Sequence, residues 1–241
     1  MYLTLQESSE SGLDQQSGLD QISQRLSRKA NSPDIVAEEL RAAIVTGRMK
    51  PGERILESRI ARDLGLGQPT VREALVKLEN EGLVVRLPNR GCRVTALTKA
   101  NMDQIFRVRV ELEPLAVQLA VESWQPWKRE KLTNALEAMR TAIKSREPEK
   151  FYRSDLRFHM TLWSLAENPF LEKALTGLVI PLFATVLVRF PGNELFDYEA
   201  NEEQHEKIAK AMLRGGNSKA AKRTTEAVLK SFWKDSGKMY G

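Results

Sequence analysis

Apolar positions divide the chain into three short helical patterns, a brief alternating stretch, and a long helical remainder. After Ser32-Pro33-Asp34, residues Ile35, Val36, Leu40, Ala43 and Ile44 recur at helical spacing and Gly47 supplies a stop, which predicts a first helix. "MKPGERIL" carries a Pro-Gly turn, and Ile60, Ala61 and Leu64 predict a second, short helix ending near Gly65. A third begins at Gln68 or Pro69, where a proline sacrifices no intrahelical bond, and buries Val71, Leu75 and Leu78 before Gly82. The period then shortens: "LVVRLP" and "CRVTAL" are β-branched runs joined by Asn89-Arg90-Gly91, the signal of a hairpin. Three small helices and a β-hairpin predict a winged helix-turn-helix, with the third helix placed to enter a major groove. From Met102 the strand signals stop. Helices are expected over 102–123, 127–146, 148–167, 169–189, 198–214 and 217–236, an all-α bundle of about six, so the fold class is mainly α. Pro114 and Pro181 fall inside two of these helices, where a proline bends a helix either around a cavity or around nothing.

Composition adds bounds. Residues 1–30 are rich in Ser, Gln, Asp and Gly without a sustained period and read as a disordered tail. The division expected is that tail, a winged helix-turn-helix over 31–98, and a helical domain over 99–237. A net charge of +5 on 241 residues favours contact with a polyanion without deciding it. The one cysteine, Cys92, cannot form an internal disulfide, and the N-terminus has no basic region followed by an apolar run, so a cytoplasmic location is expected. The apolar stretch from Ala174 to Phe190 contains Pro181 and is flanked by charge. It reads as a buried helix rather than a membrane span.

Two sets of residues carry candidate chemistry. Arg72 follows buried Val71 in the third helix and should project to solvent, where it meets either a phosphate or guanine edge, or simply Glu73 or Glu79. Gln68, Pro69 and Thr70 open the same helix, the end that points into a groove. At the hairpin tip, Gly91 permits close backbone approach and Asn89 and Arg90 offer polar contacts; the alternative is an ordinary exposed turn. Asp155 and His159 stand i, i+4 on one helix face, as two ligands of a divalent metal would, or as a local hydrogen-bonded pair. There is no G-x-S-x-G, no Gly-rich loop followed by Lys and no H-E-x-x-H, which argues against catalysis.

The stretch from Leu40 to Val94 resembles the DNA-binding domain of GntR-family transcription regulators. Its signature elements are Gly47, Pro51, Gly52 and Ile55, then Glu57, Ile60 and Ala61, then Val71 to Leu75, and Glu81 to Val84. "VRVELEPLA", "DLRFHMTLWSLAENPFL" and "EEQHEKIAKAMLRGG" resemble the FadR-like subgroup with its helical FCD-type effector domain. The resemblance implies a homodimeric regulator that binds double-stranded operator DNA under the control of a small organic acid. It assigns DNA contacts to Arg72, Gln68, Pro69, Thr70, Asn89, Arg90 and Gly91, with Ser58 and Gln68 standing where the family often has arginine and Arg59 beside the first. It also implies a divalent transition metal, zinc, nickel or manganese, held by Asp155, His159 and His205. A fourth family ligand, a histidine one helix further on, is missing from Thr224–Phe232. Three readings of the pocket stay open: a metal on three protein ligands, with water or effector oxygens completing its shell; an organic acid gripped by Arg109 without metal; or Asp155 and His159 as a structural pair. Arg109 also has Glu113 as an i+4 partner. The rival function is a metal-dependent enzyme with an appended nucleic-acid-binding module, and within the regulator reading the apolar "VIPLFATVLVRF" admits a fatty acyl-CoA sensor.

Overall fold

The computed structural model describes residues 32–87, 91–188 and 197–236. The expectation for residues 1–30, and those for Asn89 and Arg90, lie outside the described residues. The chain divides into two compact units, the first of Met1–Leu97 with Ala184–Pro191 and the second of Thr98–Phe183 with Gly192–Gly241.

In the first unit, α1 (Pro33–Val45) starts where the Ser32 hydroxyl accepts from the Asp34 amide at 3.3 Å, and buries Val36, Leu40, Ala43 and Ile44. A two-residue strand, β1 (Arg54–Ile55), precedes α2 (Glu57–Leu64). Gly65 closes α2 at φ 65°, a left-handed conformation in which the next amide, Leu66, reaches back to the Ala61 carbonyl at 2.8 Å. Then α3 (Gln68–Asn80) buries Val71, Ala74, Leu75 and Leu78 against α1. Arg41 of α1 grips Glu81, at the end of α3, through Nε–Oε2 at 2.8 Å and Nη2–Oε1 at 2.6 Å, a bidentate clamp across the pair.

The expected hairpin is present as β2 (Val84–Leu87) and β3 (Gly91–Val94), with Arg86 opposite Cys92. It is part of a larger sheet: β1 pairs antiparallel with β3, Ile55 opposite Cys92, giving the order β1-β3-β2. Two residues are too few to display an alternating period, and their partners lie some forty residues downstream, so the wing's third strand left no local signal.

The second unit is helical: α4 (Lys99–Glu122), α5 (Pro126–Ser145), α6 (Pro148–Ser164), α7 (Pro169–Val188), α8 (Tyr198–Leu213) and α9 (Ser218–Ser236). Helix α4 begins three residues before the expected Met102 because Thr98 and Asn101 form a reciprocal capping box, Thr98 Oγ1 accepting at 3.2 Å and Asn101 Oδ1 at 3.1 Å. Helix α4 packs on α9 and α6, and α5 on α6 and α8. The core between them holds Phe106, Val117, Met139, Phe158, Trp163, Leu175 and Met212, all buried. Among the described residues, no helix is long and apolar enough to cross a membrane.

Candidate effector site and nucleic-acid interface

Three helices of the second unit aim polar side chains at one buried point. Helix α4 supplies Arg109 and Glu113, α6 supplies Asp155 and His159, and α8 supplies Asn201 and His205, each pair one turn apart so that both members share a face. All six are buried. All but Glu113 line a cavity of about 30 Å³, which is room for an ion and a water or two; the α9 side of that cavity is apolar, formed by Val228, Leu229 and Phe232.

The protonation pattern follows from the partners. His205 Nδ1 lies 2.7 Å from the Asn201 carbonyl, which can only accept, so Nδ1 donates there and Nε2 is turned toward Asp155 and His159. His159 Nδ1 is 2.9 Å from Glu113 Oε1, off-line for an ideal hydrogen bond but with a carboxylate as its neighbour, which places that ring's proton on Nδ1 as well. Burial pushes His159 below the ordinary imidazole value, so the ring is neutral at pH 7. The two Nε2 atoms face each other at 3.0 Å, and His205 Nε2 is 2.9 Å from Asp155 Oδ1. Burial alone would raise the Asp155 carboxyl; the approach of His205 outweighs it, and the group is held below its usual value as an anion. Three electron-rich atoms within 4.8 Å of one another repel unless a proton or cation lies among them. The donor set therefore fits a divalent metal, with Glu113 behind His159 and the Asn201 carbonyl behind His205 orienting the rings.

Arg109 is committed elsewhere. Its Nε donates to Glu113 Oε2 at 2.8 Å, its Nη2 reaches Glu113 Oε1 at 3.5 Å, and its guanidinium lies 4.9 Å from the centre of the Phe183 ring. The i+4 partnership is thus the one formed, although Arg109 still borders the cavity. Burial would raise Glu113, but Arg109 and then His159 outweigh it and hold this carboxyl well below the usual range. The structural-pair expectation changes as well, since Asp155 approaches His205 and His159 approaches Glu113, both across helices. Sequence reasoning missed Asn201 and gave Glu113 a role only toward Arg109. The i−4 spacing of Asn201 from His205 was the available signal.

In the first unit, Ser58, Gln68, Pro69, Arg72 and Gly91 are exposed and Arg59 and Thr70 half-buried. Arg59 lies 3.5 Å from Asp63. Helix α3 has Gly67 at its N-cap with no side-chain cap, which leaves first-turn amides open to an acceptor. Arg72 is 59% exposed and pairs with neither Glu73 nor Glu79; its Nε donates to Glu57 Oε2 of α2 at 3.0 Å. The same carboxylate takes Arg86 Nη1 of β2 at 3.1 Å, tying helix-borne and strand-borne arginines to one acid.

Residues 34–94 match the gntR family of bacterial regulatory proteins, and residues 104–231, more than half of the chain, match the FCD domain. The chain belongs to the GntR family. A regulator of Bacillus subtilis, YdhC, described as an uncharacterized HTH-type transcriptional regulator, is 33% identical over 57% of this chain; the chain spans 62% of that relative's length. The gluconate operon transcriptional repressor of the same organism is 29% identical over 76% of each chain. The solved structure of McbR/YncC from Escherichia coli superposes with a TM-score of 0.70 at 23% identity, covering 87% of this chain and 98% of that one, so the fold is shared. These GntR relatives are transcription regulators rather than enzymes, and the enzyme alternative gives way.

Proposed function

We propose that this GntR protein is a one-component regulator in the cytoplasm: residues 31–98 bind operator DNA as one half of a homodimer, and residues 99–237 bind a small organic acid and dimerise. In the first unit α3 presents Gln68, Pro69, Thr70 and Arg72 to the major groove, with Ser58 and Arg59 alongside, while the hairpin with Asn89, Arg90 and Gly91 follows the backbone. Asn and Gln read adenine as Arg reads guanine, so Gln68 gives an operator distinct from one read by arginine there.

In the second unit Asp155, His159 and His205 hold zinc, nickel or manganese. A bound cation there offers open positions to the oxygens of a carboxylate. The observation that carries this reading is the convergence of two buried imidazole nitrogens and a buried carboxylate oxygen within 4.8 Å of one another. Arg109 acts through Glu113 and contributes positive potential to an arriving acid. The cavity, at about 30 Å³, suits a compact acid and not an acyl chain.

Helix α4 carries Glu113 and Arg109 and starts at Lys99, about 15 Å of helix before Arg109, so a shift at the site moves the segment that follows the DNA-binding unit. Phe232 borders the cavity and its neighbour Trp233 stacks on Phe106 at 4.5 Å, a second connection to the first turns of α4. An effector controls DNA binding only through different affinities for the two arrangements. The test combines elemental analysis of the purified protein with thermal shift against metal chlorides and small carboxylates, and anisotropy on genomic duplexes with and without each stabilising acid. Loss of the metal signal in His159→Ala and release of DNA by the same acid are expected. A protein that binds no cation, or ignores every duplex at low salt, overturns the reading.

A further inference from the structure

The cluster offers three strong donors and lacks the histidine that would complete it: among the described residues α9 presents Val228, Leu229 and Phe232 to the cavity, and the chain holds two histidines in all. Asn201, which also lines the cavity, is 7% exposed, and its side-chain Oδ1 is buried without a donor. Leaving a buried amide oxygen without a partner is costly, so an acceptor in this state on the wall of the cavity points to an absent electrophile. Its backbone carbonyl meanwhile fixes the His205 ring, so one residue both orients a ligand and stands beside it.

We propose that Asn201 Oδ1 is the fourth protein ligand of the cation held by Asp155, His159 and His205. This rests on the metal reading above and adds a residue to it. The spacing of the donors indicates the kind of ion. Ligands about 2.1 Å from a metal stand about 3.0 Å apart at a right angle and about 3.4 Å apart at a tetrahedral angle. The contacts here, 2.9 Å between His205 Nε2 and Asp155 Oδ1 and 3.0 Å between the two Nε2 atoms, have the right-angle spacing. Two imidazoles, a carboxylate and an amide oxygen would suit a six-coordinate ion such as nickel or manganese, and would leave two positions for a bidentate carboxylate.

The full chain, stripped of metal, is titrated calorimetrically with nickel(II) and manganese(II) chloride, as wild type, Asn201→Ala, Asn201→Asp and His159→Ala. Affinity is expected to fall at least tenfold in Asn201→Ala and to recover in Asn201→Asp, which returns an oxygen to the same place. The melting temperature of the metal-free alanine variant should equal or exceed that of the wild type, since an orphaned acceptor has gone. Asn201→Ser, too short to reach, repeats the loss should the alanine variant fold poorly. Cobalt(II)-loaded wild type should show the weak visible absorption of a six-coordinate ion, and an intense tetrahedral band overturns the six-coordinate assignment. Asn201→Ala binding within twofold of wild type, while His159→Ala does not bind, removes Asn201 and leaves the metal site standing. Failure of the wild type to bind any cation removes both.

Discussion

The Arg109–Glu113 pair gives a quantitative test of how the site is supported. Both side chains are almost wholly inaccessible, 3% and 0% exposed, and lie 2.8 Å apart. Removing one partner of a buried ion pair strands the other charge, at about 3–5 kcal/mol. The two single substitutions should differ. In Arg109→Met, Glu113 keeps His159 at 2.9 Å, and the ring can take up a proton to compensate, which places the cost near the lower figure of about 3 kcal/mol. In Glu113→Leu, Arg109 is left with the Phe183 ring face, an interaction of about 0.5–2 kcal/mol, and the cost should approach about 5 kcal/mol. The double variant replaces a desolvated pair with apolar volume and should lie within about 2 kcal/mol of wild type. Urea denaturation of the metal-free protein measures all four corners of the cycle, and at about 2–4 °C per kcal/mol the Glu113→Leu transition should fall by about 10–20 °C. Additive single costs, or a Glu113→Leu cost below about 1 kcal/mol, would refute the account of Arg109 as a partner of Glu113.

Other substitutions probe the remaining arguments. Lys128 is fully buried, its Nζ donating to Ser123 Oγ at 2.6 Å, the Leu165 carbonyl at 2.9 Å and Glu167 Oε2 at 2.6 Å; Lys128→Met should cost about 3 kcal/mol by denaturation. Hydrogen bonding from Lys128 holds the Glu167 carboxyl below its ordinary value, so its contribution is present above the unfolded carboxyl's value and is lost as pH falls through the lowered one; Lys128→Met should remove that acid-side dependence. Arg72→Ala should weaken operator binding by about 1–3 kcal/mol in anisotropy, and Gln68→Ala should change base preference; equal weakening on every duplex would contradict a base-reading role for Gln68. Glu57→Gln removes the acid that holds Arg72 and Arg86, and should raise affinity for unrelated duplexes while narrowing the gap to the operator; an unchanged ratio would contradict its positioning role.

Much of the fold was legible because its signals are local. A helix repeats every 3.6 residues, so Val36, Leu40 and Ile44 or Val71, Leu75 and Leu78 mark their buried faces whatever they pack against, and Ser32 and Gly65 mark ends through bonds made within a turn. Asp155 and His159 were legible for the same reason, and His205 through its likeness to a family motif. What depended on tertiary structure was every relation across elements. β1 acquires its strand geometry only from β3, and Arg72 finds Glu57 fifteen residues away rather than an acid on its own helix. The orientation of each imidazole ring was decided by Glu113 and Asn201, the first on another helix and the second one turn away. Hydrogen bonding and ion pairing need a few tenths of an ångström of accuracy in three dimensions, and spacing along one chain carries no such information about a partner beyond the next turn.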